Sequence, residues 1–388
     1  MTTYLATAMP SPEAGTLVEV DFPFGHETTP LAYGVDCEDR LVDRVAEVVP
    51  PGLVVVVADR NVAGVANRVR NLLAARGRRS ALLTVDATES AKSLATVDEL
   101  ARRALAAGMS RSSSVVSVGG GLVENLAGML AGLAFRGVPI VHLPTTPVGA
   151  FDAVLSRKQA VSLDGVKNAL GLFRTPTFVG VDLRWLETVD RTLLMTGLAE
   201  MAKNVVAVVP EDAGRFVAAV EGLDADPSGS LMTLLDIGIR AKAPFLAADP
   251  DEKGVALVFE YGHTVGHAIE TSAVTPRPHG ESVGWGMLVA ADVARVMTGL
   301  NVDAYALHDE LLRPLGVVRN APPDLDVAVV VERALRDNKR GYRPLAEDEV
   351  GMVLLADAGR VAGETSVPIV PVPADLVRRC LAQLMEER

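Results

Sequence analysis

The 388-residue chain contains little cysteine, few aromatic residues and no excess of positive charge. Its two cysteines, Cys37 and Cys380, are too few for a disulfide framework or a Cys-rich metal site, which fits a reducing cytosol. Residues 1–18 contain no Lys or Arg, so they lack the cationic start of a signal peptide. We therefore expect a cytoplasmic protein.

The charge balance and the apolar runs exclude further classes of protein. The chain has 37 basic and 49 acidic side chains, a net charge of −12, which argues against a nucleic acid or an anionic membrane as partner. The most apolar run, Val115–Phe135, is interrupted by Gly119–Gly121 and Glu124, so we expect no membrane span. With 49% apolar residues and a mean hydropathy of +0.27, large cores can form. At about 150 residues per domain, the length favours two domains.

Hydrophobic patterning predicts an α/β domain followed by a mostly helical one. Near-continuous apolar strands alternate with helical segments up to about residue 185, which is typical of a parallel sheet covered on both faces. The predicted strands are Leu53–Ala58, Ala81–Val85, Ser114–Val118, Pro139–Leu143 and Thr177–Val181, and Thr16–Phe22 with Leu31–Val35 suggest a hairpin. From residue 186 the spacing is helical, over Arg191–Val209, Ser230–Ala248, Val255–Thr271, Val283–Thr298, Val327–Asp337 and Ala374–Glu387. The predicted domains are residues 1–185 and 186–388.

Three of the six histidines lie within seventeen positions. His263 and His267 are one helical turn apart and share a face, and the loop residue His279 could approach that face. Thr-Val-Gly separates the first two, so the metalloprotease motif HExxH is absent. The spacing fits a metal site about as well as a pair of structural histidines.

A carboxylate within an apolar helix adds to this pattern. Glu200 and Lys203 lie one turn apart in the apolar run Leu193–Val209, where buried charges must be paired or bind a metal. They can form a simple i,i+3 salt bridge. Glu200 with two histidines would instead form a three-ligand site with an open position, as in catalytic zinc centres.

A glycine-rich turn and a set of cations are suited to phosphate groups. Gly119–Gly121 join a strand to a helix, where backbone N–H groups and the helix N-terminus can hold a diphosphate. Such turns also serve tight packing, and this one departs from GxGxxG. A second candidate phosphate-binding set combines loop cations, a loop amide and an arginine at a helix end. Its members are Lys158, Lys167, Asn168, Lys339 and Arg136.

Taken in order, these motifs resemble the dehydroquinate synthase-like sugar phosphate cyclases. The matching segments run from about residue 50 to the C-terminus: GGGLVENLAG, FRG, LPTT, SRKQAV, GVKNALG, LAEMAKN, EYGHTVGHAIE, HGESV and RDNKRGY. The resemblance implies a Rossmann-like NAD-binding domain, a helical metal-binding domain and a homodimer. It also implies a phosphorylated sugar substrate that is oxidised, loses phosphate, is reduced again and closes to a carbocycle.

Carried over position by position, the resemblance implies a role for each matching residue. Glu200, His263 and His279 would bind one divalent metal, zinc or cobalt. The phosphate would be bound by Lys158, Asn168, His267, Lys339 and Arg136, the last from a partner subunit. Sugar hydroxyls would contact Asp152, Lys167, Lys203 and Lys242, with Glu260 as a general base or hydroxyl clamp. The dinucleotide would contact Asp59, Glu89, Lys92, Gly120, Gly121, Thr145 and Thr146.

Differences between family members bear on the substrate. Dehydroquinate synthases place Arg and Asn where this chain has Ala256 and Glu260, and losing that arginine suits a substrate without a carboxylate. Valiolone synthases usually lack the second histidine, whereas His267 is present. The sequence is most similar to members that cyclise glucose 6-phosphate for aminocyclitol antibiotics. Arg157, Ser162, Pro147 and the segment Asp190–Gly197 depart from the family pattern.

Three alternatives remain open at this stage. A dehydroquinate or valiolone synthase would instead turn over a seven-carbon sugar acid phosphate or sedoheptulose 7-phosphate. A metal-dependent polyol dehydrogenase would accumulate NADH instead of regenerating NAD. The third alternative is a non-enzymatic NAD-binding protein, in which Glu200, His263 and His279 would have no catalytic role.

Overall fold

The computed structural model describes residues 12–386 apart from 165, 274, 276 and 321–323. The chain divides into two compact units, Met1–Val189 and Asp190–Arg388. None of the helices in the described part is both long enough and apolar enough to cross a bilayer.

The first unit is built on a parallel sheet. Within the described residues, seven strands run in the order β1-β2-β9-β6-β5-β3-β4, and every neighbouring pair is parallel except β1 with β2. The strands of the unit are β1 Val18–Phe24, β2 Glu27–Gly34, β3 Val54–Asp59, β4 Ser80–Val85, β5 Ser114–Gly119, β6 Ile140–Pro144, β7 Lys158–Leu163, β8 Val166–Phe173 and β9 Phe178–Asp182. Its helices are α1 Glu38–Val48, α2 Ala63–Ala75, α3 Leu94–Ala106, α4 Gly121–Leu133, α5 Pro147–Phe151 and α6 Leu183–Leu186.

Alternation along the central strands produces two apolar cores. Val54 and Val56 of β3 face the helices α1 and α2, whereas Val55 and Val57 face α3 and α4. Both faces of the sheet are therefore covered, which confirms the predicted Rossmann-like α/β architecture. The predicted hairpin is also present, and its second strand joins the sheet through β9.

The prediction that Lys158, Lys167 and Asn168 lie in loops is wrong. They belong to β7 and β8, which pair as an antiparallel hairpin outside the main sheet. The hairpin was missed because β8 has no fully buried position that would mark it as a strand. The hairpin packs against α4 rather than extending a sheet. Asn168 has a φ of +53°, a left-handed backbone that asparagine tolerates better than most residues.

The second unit is mostly helical, as predicted. Its helices are α7 Arg191–Ala207, α8 Ala213–Gly222, α9 Pro227–Ala248, α10 His263–Ser272, α11 His279–Met297, α12 Val302–Leu312, α13 Val327–Leu335 and α14 Ala374–Glu386. Its short strands are β10 Glu349–Met352, β11 Leu355–Asp357, β12 Arg360–Val361 and β13 Val370–Pro373. The helix α11 is buried along most of its length and packs on α7, α10, α12 and α14.

The prediction of one helix over Val255–Thr271 is wrong. A 3-10 segment covers Val255–Glu260, and α10 begins only at His263. Gly262 breaks the helix with a φ of +77°, a conformation that glycine adopts without steric cost. The prediction that His279 lies in a loop is also wrong, because it is the first residue of α11.

Candidate functional site

The helix α7 places a carboxylate and an ammonium group in the interior of the second unit. The side chains of Glu200 and Lys203 are each 2% exposed, and Lys203 Nζ donates to Glu200 Oε2 over 2.6 Å. Burial opposes ionisation of Glu200, but the nearby cations outweigh it and hold the pKa of this carboxyl well below its usual range. The i,i+3 salt bridge considered from the sequence therefore exists. It leaves the second carboxylate oxygen, Oε1, free for other partners.

Two histidines of α10 face this carboxylate from one side of the helix. The ring centroids of His263 and His267 are 5.1 Å apart, as their spacing of four residues predicts. His263 Nδ1 lies 3.1 Å from the Tyr261 carbonyl oxygen, so Nδ1 carries the proton and donates it. That hydrogen bond leaves Nε2 as a lone-pair donor, 3.5 Å from Glu200 Oε1.

His279 reaches the same oxygen from the start of α11. Its Nε2 lies 3.2 Å from Glu200 Oε1, and its Nδ1 lies 3.0 Å from Glu270 Oε2. A Cβ on the next residue, Gly280, would lie 1.7 Å from the carbonyl oxygen of Thr196 in α7. Only glycine permits that approach, which brings the first turn of α11 against α7.

Glu270 lies beside the candidate ligands, although its sequence position indicated no role for it. It lies near the end of α10, and its carboxylate fixes the orientation of the His279 ring, as carboxylates commonly do for metal-binding histidines. Its position three residues after His267 was the available signal. That signal was too weak, because the contact depends on how α10 and α11 pack.

The three groups fit a small divalent cation. Ligands about 2.0–2.1 Å from a tetrahedral zinc ion lie roughly 3.3 Å from one another, close to the separations of Glu200 Oε1 from the two Nε2 atoms. Among the described residues, Glu200 Oε1 is buried with no hydrogen-bond donor assigned to it. Burial lowers the pKa of His279, but the adjacent carboxylates of Glu200 and Glu270 outweigh it and raise the pKa to about 9. The cluster thus attracts positive charge, as a proton or as a metal ion.

His267 lies beside these ligands. One nitrogen from each of His263, His267 and His279 can be chosen so that all three lie within 4.8 Å of one another, a spacing compatible with a metal. Burial and the neighbouring His263, His279 and Lys339 hold the pKa of His267 well below its usual range. Glu200 Oε1 with the Nε2 atoms of His263 and His279 forms one candidate ligand set, with separations of 3.5 and 3.2 Å. His267 lies beside this set.

A second charged group lies next to the metal centre in the same unit. Lys339 is 1% exposed, and its Nζ lies 3.1 Å from both Glu260 Oε2 and Asp337 Oδ1. Burial lowers the pKa of Lys339, but these two carboxylates outweigh it and raise the pKa, so the ammonium group stays charged. Lys242 is also buried, with Nζ 5.3 Å from the ring centroid of Phe259, the neighbour of Glu260.

The glycine turn of the first unit has the shape of a diphosphate site. Gly120 precedes α4, and a Cβ there would lie 2.9 Å from Thr146 Oγ1, so the turn and the end of β6 approach closely. Thr145 N donates to the Gly119 carbonyl over 2.8 Å, and Thr146 Oγ1 accepts from Gly149 N. Both threonines and Gly121 therefore lie at the carboxyl edge of the sheet, where ligands of parallel sheets bind.

The remaining predicted nucleotide residues form smaller groups. Lys92 Nζ donates to Asn168 Oδ1 over 2.5 Å, and Ser162 Oγ lies 3.3 Å from Glu89 Oε1, so the turn before α3 is tied to the β7–β8 hairpin. Asp59 ends β3 and accepts a hydrogen bond from the Asn61 backbone.

Other predicted residues lie elsewhere in this unit. Lys158 opens β7 and Lys167 lies on β8, whereas Asp152 follows α5. Arg136 follows α4 with a φ of +72°. It is at the opposite end of that helix from Gly120, about 20 Å away at 1.5 Å per residue. Within one chain, Arg136 is therefore distant from the glycine turn.

Family models match most of the chain. Residues 82–196 match the model described as 3-dehydroquinate synthase N-terminal, and residues 197–340 match 3-dehydroquinate synthase C-terminal. The junction of the two matches lies close to the boundary between the two compact units.

Individual relatives are more specific. The 2-deoxy-scyllo-inosose synthase of Streptoalloteichus tenebrarius is 39% identical over 361 residues, which is 92% of each chain. A crystal structure of 2-deoxy-scyllo-inosose synthase with carbaglucose-6-phosphate, NAD+ and Co2+ is 31% identical with a TM-score of 0.86, covering 94% of this chain and 99% of that one. The 2-epi-5-epi-valiolone synthase of Streptomyces hygroscopicus, with NAD+ and Zn2+ bound, shares the fold at 23% identity, a TM-score of 0.79 and coverage of 94% and 98%.

Proposed function

The chain belongs to the 3-dehydroquinate synthase family, and from this premise we propose that it is a sugar phosphate cyclase that converts glucose 6-phosphate to 2-deoxy-scyllo-inosose and phosphate. The observation that carries the proposal is the buried Glu200 Oε1 held between the Nε2 atoms of His263 and His279. In a chain 39% identical to a 2-deoxy-scyllo-inosose synthase, this intact metal site supports catalysis rather than a purely structural role.

The enzyme would require NAD and one divalent metal, zinc or cobalt. When bound, NAD accepts and returns a hydride, and the metal polarises sugar hydroxyls. Glu200, His263 and His279 would hold the metal, and Glu270 would orient His279. Lys203 stabilises the ionised form of Glu200 through its 2.6 Å contact and reduces the negative charge at the ligand site.

Each unit contains cations suited to phosphate and hydroxyl groups. In the second unit, the charged ammonium group of Lys339 would bind the phosphate together with His267. In the first unit, Lys158 and Asn168 of the β7–β8 hairpin would be suited to a phosphate group. Asp152, Lys167, Lys203 and Lys242 would contact hydroxyls. Because these side chains are charged or polar, they would favour a compact phosphorylated polyol over an extended apolar substrate.

Glu260 would set the choice among family substrates. Its carboxylate lies 3.1 Å from Lys339 Nζ, and Ala256, one turn earlier, has no charge to offer. A substrate carboxylate would meet the negative charge of Glu260 instead of an arginine, whereas a hydroxyl could donate to it. This pairing supports glucose 6-phosphate over a seven-carbon sugar acid phosphate.

The active form would be a cytoplasmic homodimer that serves antibiotic biosynthesis. The distance of Arg136 from the glycine turn of its own chain supports a contribution of this residue to the partner's site. Light scattering on the purified protein tests the dimer. Activity restored on mixing Arg136→Ala with His263→Ala tests the exchange, because a mixed dimer would contain one complete site.

The central experiment measures phosphate release from glucose 6-phosphate with catalytic NAD, and identifies the product by mass spectrometry. Release without net NADH is expected, because the hydride returns in each turnover. Steady accumulation of NADH would point to a polyol dehydrogenase instead. Turnover of sedoheptulose 7-phosphate or a seven-carbon sugar acid phosphate, with none of glucose 6-phosphate, would replace the proposed substrate.

A second experiment tests the site itself. His263→Ala removes a metal ligand without adding bulk, so it should abolish metal retention and phosphate release together. Unchanged turnover in this variant would contradict the assignment.

A further inference from the structure

A buried carboxyl group in the first unit has no partner that explains it. Glu124 lies in the first turn of α4 and is 2% exposed. Among the described residues, neither of its carboxyl oxygens has a hydrogen-bond partner. Buried ionisable side chains are nearly always paired or hydrogen-bonded, so this carboxyl requires a reason to be there.

The carboxyl group lies between two glycines at the ligand edge of the sheet. Oε1 is 2.7 Å from the position that a Cβ on Gly149 would occupy, and Oε2 is 3.9 Å from the corresponding position on Gly121. These glycines belong to the helices that follow β5 and β6, which end at Gly119 and Pro144. The Glu124 carboxyl therefore lies between α4 and α5, beside Gly121 at the carboxyl edge of the sheet, where ligands of parallel sheets bind.

The electrostatic surroundings keep this carboxyl neutral. Burial, together with the charge of Asp152, raises the pKa of Glu124 to about 8. Asp152 is the charged group that acts on it. The core that packs on α4 includes Val97 of α3, Val115 of β5 and Val161 of β7, and the uncharged Gln159 lies against Gly128 of α4. A neutral carboxyl has one donor and one acceptor, which matches a hydroxyl group.

We propose that Glu124 binds a hydroxyl group of a ligand held at the glycine turn. This inference rests on the proposed function, which supplies two such ligands, the ribose of NAD and the sugar phosphate. Asp152 is expected to bind a sugar hydroxyl, so the two side chains would together hold adjacent hydroxyl groups.

The test compares two variants with a control. Glu124→Leu removes the hydrogen bonds but fills the space, Glu124→Gln keeps a donor and an acceptor, and Ser114→Ala removes another buried, unpartnered oxygen at the far end of β5. The readouts are the Kd for NAD, by calorimetry without sugar, and the KM for glucose 6-phosphate at saturating NAD.

Glu124→Leu should weaken the affinity for one of the two ligands about three- to tenfold, which corresponds to the loss of one hydrogen bond. In Glu124→Gln and Ser114→Ala, the affinities should stay within about twofold of the wild type. A change in the NAD Kd identifies the ribose, and a change in the KM alone identifies the sugar. Unchanged affinity for both ligands in Glu124→Leu would overturn the proposal.

Two further measurements keep the result interpretable. If Glu124→Leu does not fold, the proposal is tested by the pH dependence of ligand affinity in the wild type and in Glu124→Gln. The wild type should lose affinity above about pH 8 as Glu124 ionises, whereas Glu124→Gln should not, and identical profiles would refute the proposal. Calorimetry with NAD needs no turnover, so absence of phosphate release by the wild type would reject the proposed function separately.

Discussion

Replacing Glu270 tests whether the metal centre depends on a residue outside the ligand set. In Glu270→Gln, the amide keeps the size of the side chain and an oxygen that can still accept from His279 Nδ1. It removes the negative charge that makes His279 a stronger metal ligand. In Glu270→Ala, the 3.0 Å contact to Nδ1 is lost altogether, and the imidazole can rotate away from Glu200.

The expected magnitude follows from the role of such a contact. Removing the hydrogen-bond partner of a metal-binding histidine typically weakens metal affinity about 10- to 100-fold. Glu270→Ala should reach the upper part of this range, because the ring loses both its orientation and its charge partner. Glu270→Gln should fall in the lower part. The side chain of Glu270 is 13% exposed, so the charge effect is only weakly screened by solvent.

The assay is competition for cobalt or zinc against a chromophoric chelator, with phosphate release measured at saturating metal. Glu281→Gln is the matched control, because this acid lies in the first turn of α11 and interacts with Arg277 rather than with a ligand. Restoration of activity at high metal would show that Glu270 acts through His279. Equal metal affinity in the wild type and Glu270→Ala would refute this reasoning.

Three other predictions follow from the same contacts. Lys203→Met leaves Glu200 buried without its ammonium partner, so the free energy of unfolding measured in urea should fall by about 3 kcal/mol. The double variant Glu200→Gln/Lys203→Met should lose less stability than Lys203→Met, and an equal loss would contradict the pairing. Gly280→Ala forces a Cβ against the carbonyl oxygen of Thr196, so metal affinity and melting temperature should both fall. The control is Gly64→Ala, where the added Cβ meets open space and metal affinity should stay unchanged. The pKa of Glu124 is raised from 4.5 to about 8, so the folded state binds its proton more tightly than the unfolded state and stability is lost as the pH rises across this window. The melting temperature of the NAD-free wild type should therefore fall from pH 5 to pH 9 more than that of Glu124→Gln; parallel curves would contradict this.

The fold was largely predictable because its signals are local. Four consecutive valines in Val54–Val57 can be accommodated in a strand only if both faces are buried, which implies helices on each side of the sheet. Most helices of the second unit follow from their periodicity, although α8 and α12 were not predicted. The helix α7 begins at the predicted residue, where Asp190 caps it. The break at Gly262 was missed because a single glycine within a helical pattern is often tolerated.

The site was predictable where chemistry and spacing coincide. His263 and His267 share a face because four residues nearly complete a turn, and a lone acid in an apolar helix needs a cation or a metal. The contacts of Glu260 with Lys339 could not be read in the same way. They join segments 79 residues apart, and only the packing of α10, α13 and β10 determines that they meet.

Glu270 and Glu124 show where sequence reasoning ends. Each is an acid on a helix next to a motif, and composition alone treats both as solvated surface charges. The structure separates them by their partners: Glu270 has a histidine to orient, whereas Glu124 is buried without a hydrogen-bond partner in the described part of the chain. A buried acid next to a donor in its own chain stabilises the geometry of a site, whereas a buried acid without one implies a partner from outside the chain. This distinction makes Glu270 a test of metal affinity and Glu124 a test of ligand affinity.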